Sequence, residues 1–338
     1  MKYKGFFSFP STYVQLKTGG KINKNKLNIQ FKLVTHSWYH HFLCGYTEYN
    51  YLFCSLKFRG MKLVHTVSDL QSELQQLGSD SSVGFVPTMG ALHQGHLSLV
   101  KQAVAENTVT VVSIFVNPTQ FNDPKDLERY PRTLEADLKI LEPTGCQLVF
   151  APSVKEVYPE PDTRKFDFGD LETVMEGKFR PGHFNGVAQV VSRLFDLVKP
   201  DKAYFGLKDF QQLAIIKNMV KQLQLPVEIV PCAIVREKSG LAMSSRNELL
   251  TAEQRANAAV ISETLFQAKK LSEQKNVQEL ADWVVAEVNK NPFLDVEYFE
   301  IVDDEQLKPI QSWDENSTKV GCIAVYCGKI RLIDNIIL

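Results

Sequence analysis

The sequence predicts an α/β fold: a Rossmann-like, doubly wound parallel sheet followed by a smaller α+β domain. Three observations carry this expectation. From Met61 onward, short apolar runs of strand type alternate with segments whose apolar residues repeat at helical spacing, the signature of a parallel sheet covered by helices on both faces. The polar and glycine-containing stretches fall at or beyond the carboxyl ends of those runs, where open sheets bind ligands. After a polar loop near Ser239 the order changes to two long helical segments and then strands.

Taken in order, the first helix reads from Ser68 as its N-cap, with Leu70, Leu74 and Leu77 on one face. Strands are expected at 83–86, 108–116, 147–150, 202–205 and 227–230, and helices at about 96–106, 133–142, 186–198 and 209–223. In the second domain, helices read at 251–273 and 276–290 and strands at 295–302, 319–327 and 329–334. Residues 61–238 are thus assigned to the sheet domain and 239–338 to the smaller one.

The 338 residues suffice for two such domains, and 44% apolar against 23% charged residues describes a globular protein. No apolar run approaches the roughly 18 residues that span a bilayer, so no membrane partner is expected. The net charge of −1 hides a discontinuity. Residues 1–60 carry eight Lys and one Arg against Glu48 alone, leaving 29 basic and 38 acidic residues in the remainder. A body that acidic argues against a nucleic-acid partner. Residues 1–60 also hold 14 of the 35 aromatics, and they fit neither a transit peptide nor a secretory signal. They are expected to be upstream sequence outside the folded body. Cys44, Cys54, Cys146, Cys232, Cys322 and Cys327 form no Cys-x-x-Cys pair, which suggests reduced thiols in a cytoplasmic protein. Cys322 and Cys327, an odd number apart in one strand, would face opposite ways.

The most informative stretch is Phe85-Val-Pro-Thr-Met-Gly-Ala-Leu-His-Gln-Gly-His96. It reads as a strand-to-helix turn opened by Pro87 and Gly90, with His93 and His96 at the helix entrance. Helix entrances have unpaired N–H groups and attract phosphates. Two imidazoles three residues apart there would donate to a polyphosphate, and Gly95 between them would keep bulk off the ligand. A lone His-x-x-His is usually structural, and zinc would need spacing of four with an intervening Glu. Asn117-Pro-Thr-Gln-Phe121 closes the longest apolar run; it reads as a proline turn or as Gln120 offered to a small polar substrate. Phe205-Gly-Leu-Lys-Asp-Phe-Gln-Gln212 is again strand, turn and helix entrance. Lys208 is placed to hold a phosphate, Asp209 to cap, and Gln212 to share their face. Val235 to Asn247 is a polar loop presenting Ser244, Ser245 and Arg246 together, suited to a pyrophosphate group. Asp126 to Thr133 and Arg180 to Gly186 read, by themselves, as a solvated charge run and a turn into a helix.

These segments together resemble the pantothenate synthetases, of the His-x-Gly-His nucleotidyl-transfer superfamily. The likeness runs from about Met61 to Asn335 and rests on several ordered motifs. They are the Pro87–His96 turn, Ile114–Phe121, Arg129–Thr133, Arg180–Phe184, Gly206–Gln212, Met243–Asn247 and Arg331–Asn335. The resemblance implies ATP-dependent joining of pantoate to β-alanine through a pantoyl adenylate, releasing AMP and pyrophosphate, with Mg²⁺, in a cytoplasmic homodimer. By matched position it places Met89, Gly90, Ala91, Leu92, His93, Gln94, Gly95 and His96 against ATP, His96 being the general acid. Gly206, Leu207, Lys208, Asp209 and Val235 would meet the nucleotide, and Met243, Ser244, Ser245 and Arg246 would close over its phosphates. Gln120 and Gln212 would hold pantoate, and Asp137 is the candidate metal ligand. Leu207 stands where the family commonly has Glu or Gln, and Ala136 where some relatives have an acid. A related adenylyltransferase, or a nucleotide-binding sensor without chemistry, are the alternative readings.

Overall fold

The computed structural model describes residues 6–9, 12–15, 60–121, 124–315 and 317–338. It divides into two compact units, Met1–Arg59 and Gly60–Leu338. In the first, β1 (Phe6–Phe9) pairs antiparallel with β2 (Thr12–Gln15). Cys44 and Cys54 lie outside the described residues.

The second unit is built on a six-stranded sheet of β3 (Lys62–Val64), β4 (Val83–Thr88), β5 (Val109–Ile114), β6 (Leu148–Phe150), β7 (Lys202–Gly206) and β8 (Glu228–Cys232). Their order is β3-β6-β5-β4-β7-β8 and every pairing is parallel. The central strands are continuous apolar runs because both faces are covered. Phe85, Val111, Phe150 and Phe205 face a core shared with α1 (Val67–Gln75), α7 (His183–Val198) and α8 (Phe210–Leu223). Their neighbours Val86, Val112, Val149 and Tyr204 face the opposite way, onto α2 (Gln94–Glu106) and α4 (Leu134–Leu141). Short helices α3 (Pro124–Arg129), α5 (Val154–Val157) and α6 (Met175–Phe179) occupy the connections.

The topology fixes where a ligand can go. The chain steps outward from β4 to β5 and β6, then returns to place β7 on the other side of β4. The connections leaving β4 and β7 therefore diverge, opening a crevice at their carboxyl ends.

Two helix starts differ from the sequence reading. The first helix is capped by Thr66, whose hydroxyl accepts from Asp69 N–H at 3.1 Å, not by Ser68. The helix expected from 186 begins at His183, because Gly182 takes φ +80° and turns the chain into it three residues early.

Beyond β8, α9 (Ala252–Leu271) and α10 (Val277–Val288) pack on an antiparallel sheet of order β11-β10-β9. Its strands are β9 (Leu294–Asp303), β10 (Lys319–Cys327) and β11 (Ile330–Ile337), the last running three residues past the expected end. Ile323, Val325 and Cys327 face the two helices. Val320 and Cys322 face the other way, into the main core, as the odd spacing of the cysteines requires. Cys146, Cys232, Cys322 and Cys327 are free and buried.

Polar contacts join this small sheet to the main body. Glu176 of α6 receives Arg331 of β11 in two hydrogen bonds of 2.6 and 2.8 Å, and the Tyr298 hydroxyl donates to it at 2.9 Å. Arg331 also donates to Glu297 through Nε at 2.9 Å. Burial works against ionisation of Glu176, but the Arg331 guanidinium outweighs it and holds the carboxyl below its usual range. Removing one partner of such a pair leaves an uncompensated buried charge. Arg331→Leu is therefore expected to lower the unfolding free energy, measured with urea, by ~3 kcal/mol. A loss below about 1 kcal/mol would mean the pair behaves as an exposed bridge.

Candidate active site

The crevice is a cavity of about 260 Å³ at the carboxyl ends of β4 and β7. The turn out of β4 is held from below. Thr88 donates its hydroxyl to the Ser113 carbonyl at 2.7 Å and accepts from Gly90 N–H at 3.2 Å. Gly90 takes φ +82° and Ala91 φ +49°. The strained turn is fixed by Asp137 of α4, whose carboxylate accepts from Ala91 N–H at 3.1 Å and Leu92 N–H at 2.8 Å. Thr133 Oγ1 lies 3.3 Å from both carboxylate oxygens. Asp137, only 2% exposed, is occupied on both oxygens. Asp137, expected as a metal ligand, here anchors the turn. Among the described residues no group of three or more His, Cys, Asp or Glu is placed to hold a metal.

The helix entrance is capped by its own histidines. His93 is the N-cap, and its Nδ1 accepts from Gly95 N–H at 3.1 Å. His96 Nδ1 accepts from His93 N–H at 3.2 Å. A neutral imidazole carries one proton, so a ring that accepts at Nδ1 is a donor at Nε2. Both rings therefore present Nε2–H, and they lie side by side with centroids 4.1 Å apart. Burial, then the neighbouring His93, pushes the His96 pKa down to about 3. Burial and Lys208 also lower that of His93. At neutral pH these are uncharged donors. A Cβ at Gly95 would stand 2.8 Å from His93 Cε1, so the glycine makes room for the capping ring.

The second entrance belongs to α8. Lys208 is mostly buried and its Nζ lies 3.2 Å from Asp209 Oδ1. Asp209 occupies the N-cap position but makes no side-chain cap; its carboxylate serves Lys208 instead. The turn is gripped from the small sheet by Asn335, whose amide donates to the Leu207 carbonyl at 2.8 Å and the Lys208 carbonyl at 3.0 Å. Asn335 is placed by its neighbour Asp334, which pairs with both terminal nitrogens of Arg236 at 2.6 and 3.0 Å.

Of the expected site residues, Met89, His93, Gly95, His96, Gln120, Gly206, Lys208, Asp209, Gln212, Val235, Met243, Ser244, Ser245 and Arg246 all line the cavity. Gly90, Ala91, Leu92, Gln94, Leu207 and Asp137 do not. The first three form the anchored turn, Gln94 is exposed, and Leu207 packs against the main core. Ser244 caps the short turn Ser245–Leu249 by accepting from Arg246 N–H at 3.2 Å. Gln120 rests on Asn117, a fully buried amide that donates to Gln120 Oε1 at 3.3 Å and to the Gly186 carbonyl at 3.1 Å.

Sequence reasoning left out Asn117, Arg180, His183 and the Arg331–Asn335 segment as site residues. Arg180 and His183 line the same cavity, and the signal was present: both sit in the Arg180–Phe184 motif at the start of α7. A further small cavity of about 70 Å³ adjoins the first and shares Arg180, His183, Lys208, Asp209, Gln212 and Arg246 with it.

A crevice at the switch point of a parallel sheet, walled by imidazole, ammonium and guanidinium donors, defines an α/β protein suited to a phosphate-bearing ligand. Comparison with known proteins makes this particular. The family model for Pantoate-beta-alanine ligase matches residues 62–337, and the chain belongs to that family. A pantothenate synthetase of Bacteroides fragilis (strain YCH46) is 59% identical over 277 residues, covering 82% of this chain and 98% of that relative. Among solved structures, a pantothenate synthetase from Thermus thermophilus matches with a TM-score of 0.77 at 44% identity, over 82% of this chain and 99% of that one. A pantoate-beta-alanine ligase from Francisella tularensis, complexed with beta-gamma ATP and beta-alanine, matches at 0.69 and 37%, over 82% and 97%.

The ring geometry has a measurable consequence. Nitrogen NMR at pH 7 is expected to show His93 and His96 as Nε2–H tautomers, with His96 still neutral well below its ordinary 6.5. Because its folded-state pKa lies below the unfolded value, the folded protein binds fewer protons there. The stability this ring contributes is complete above pH 6.5 and falls as the pH drops from 6.5 toward 3. A His96 that titrates near 6.5 would contradict the assignment.

Proposed function

We propose that this chain condenses pantoate with β-alanine, using ATP, to give pantothenate, AMP and pyrophosphate. In the first step the pantoate carboxylate attacks the α-phosphorus, and the bond to the bridging oxygen breaks as pyrophosphate leaves. In the second the β-alanine amine attacks the carbonyl carbon of the pantoyl adenylate, loses a proton, and AMP departs. The observation that carries this reading is the convergence on one cavity of two helix entrances, from adjacent strands, with His93 and His96 on one and Lys208 on the other. Such donors offset the negative charge that grows on the leaving pyrophosphate.

In this reading His96 acts as a neutral Nε2–H donor to the phosphates and not as an imidazolium acid, since burial keeps it unprotonated. His93 and Lys208 stand beside it, Ser244, Ser245 and Arg246 cover the phosphates, and the turns Met89–His96 and Gly206–Asp209 with Val235 meet the nucleotide. Gln120 and Gln212 hold pantoate. The Gln212 side chain makes no hydrogen bond among the described residues, which leaves its amide for a ligand hydroxyl. Among the described residues no three His, Cys, Asp or Glu side chains come together to hold a metal; Mg²⁺ accompanying ATP would be held by the phosphate oxygens and water. A cytoplasmic homodimer binding neither nucleic acid nor membrane completes the proposal. The acidic body argues against a nucleic-acid partner. Sedimentation tests the dimer.

We assign residues 61–238 to the ATP- and pantoate-binding domain and 239–338 to a lid, with 1–60 outside the enzyme. The family match beginning at residue 62 supports the first of these boundaries.

The two-step course requires exchange of labelled pyrophosphate into ATP with pantoate and Mg²⁺ but without β-alanine. Exchange that strictly needs β-alanine would exclude it. Replacing His96 or Lys208 by Ala is expected to lower kcat by about 10²- to 10³-fold, with smaller effects on substrate KM values; near-normal turnover would make that residue structural. A chain starting at Met61 should keep the melting temperature and turnover of the full chain, and a loss of several degrees would show that the first 60 residues pack on the body.

A further inference from the structure

The three imidazoles of the cavity are not equivalent. His93 and His96 give their Nδ1 lone pairs to backbone N–H groups and turn donors toward the cavity. His183 is the reverse. Its Nδ1 lies 2.8 Å from the Gln120 carbonyl oxygen. A carbonyl can only accept, so this nitrogen carries the proton and Nε2 keeps its lone pair. Nε2 has no partner among the described residues, in a ring 6% exposed that lines both cavities. Resting on the proposed function, we infer that His183 is a specificity residue: its Nε2 accepts a hydrogen bond from a hydroxyl of pantoate.

The chemistry of the co-substrates selects the hydroxyl. Carboxylates and phosphates are acceptors and have nothing to give a lone pair. The available donors are the hydroxyls of pantoate, the ammonium of β-alanine, and the ribose and base of ATP. Burial, then Arg180 and to a smaller extent Arg246, disfavours a positive charge on the His183 ring; the same surroundings disfavour an ammonium beside it, while a neutral hydroxyl is unaffected. Glu176, the nearby carboxylate, is already engaged by Arg331 and Tyr298. Position favours the acid over the nucleotide. The carbonyl that orients the ring belongs to Gln120, the residue whose amide is assigned to pantoate. The same contact couples the two: α7 presses so closely on this loop that a Cβ at Gly186 would come within 2.5 Å of the Thr119 carbonyl oxygen. A buried acceptor left unpaired penalises any acid that lacks the hydroxyl, which is how a site rejects deoxy analogues more strongly than an apolar wall rejects a missing methyl.

The test uses the full chain, pyrophosphate exchange, and three acids: pantoate and its 2-deoxy and 4-deoxy analogues. His183→Asn keeps a donor for the Gln120 carbonyl, because the Asn amide nitrogen reaches the place of Nδ1, but offers nothing at Nε2. It is expected to raise the KM for pantoate about ten- to hundredfold while the KM for ATP in exchange, and that for β-alanine in the complete reaction, each change less than about threefold. For the deoxy acid that lacks the recognised hydroxyl, wild type and variant should agree within about threefold. His183→Gln, whose carbonyl oxygen can reach toward the place of Nε2, should recover part of the loss. An equal loss with all three acids would overturn the assignment, as would an effect confined to ATP or β-alanine. A variant that does not fold still leaves a decisive arm: wild-type enzyme that loses less than about threefold with both deoxy acids has no such acceptor. Absence of any pantoate-dependent exchange in the wild type would instead remove the proposed function itself.

Discussion

The first turn of α2 is capped by its own imidazoles, and the site's chemistry depends on that. Two backbone N–H groups that the helix geometry leaves without partners find them in His93 and His96. The lone pairs so used fix both tautomers, and the fixed tautomers leave two uncharged N–H donors at the place where a helix already favours anions. Everything nearby serves this arrangement. Gly95 is bare because the His93 ring lies over it. Asp137 holds the preceding turn by two N–H groups, so the helix begins at the right point and angle. Burial then keeps His96 neutral, with the consequence that its contribution is a directed dipole, insensitive to pH over the physiological range.

The second entrance is held from outside the sheet domain. Leu207 and Lys208 give their carbonyls to Asn335, Asp334 beside it is pinned by Arg236, and Arg331 in the same strand reaches Glu176. One segment of β11 thus couples the small sheet to the lysine-bearing turn. Arg331–Asn335, far from the cleft in sequence, is thereby brought to the site.

Much of the fold was legible because its signals are local. Apolar runs of strand length alternating with amphipathic segments predicted the parallel sheet, and the change of order after residue 239 predicted the smaller sheet. The histidine and lysine turns were legible because a strand, a glycine and a helix start are adjacent in the chain. What was not legible depends on contacts across the sequence. Asp137 lies 45 residues from the N–H it accepts, so spacing could not show that it anchors the turn. Asn117 read as part of a proline turn because its partner at Gly186 belongs to another helix. The tautomers of the three histidines follow from which atom faces which, and a sequence carries no such information. Smaller errors were local competitions: Thr66 and Ser68 are both acceptable caps, and Asp69 decided between them by offering its N–H to Thr66.

The central claim is that the Nε2–H groups of His93 and His96 bind phosphate as neutral donors. It is tested most directly by nitrogen–phosphorus NMR of the protein saturated with a non-hydrolysable ATP analogue at pH 7. Both Nε2–H protons are expected to shift downfield on binding, with coupling across the hydrogen bond to phosphorus. Resonances unchanged at saturation, or rings that carry a proton on both nitrogens, would contradict it.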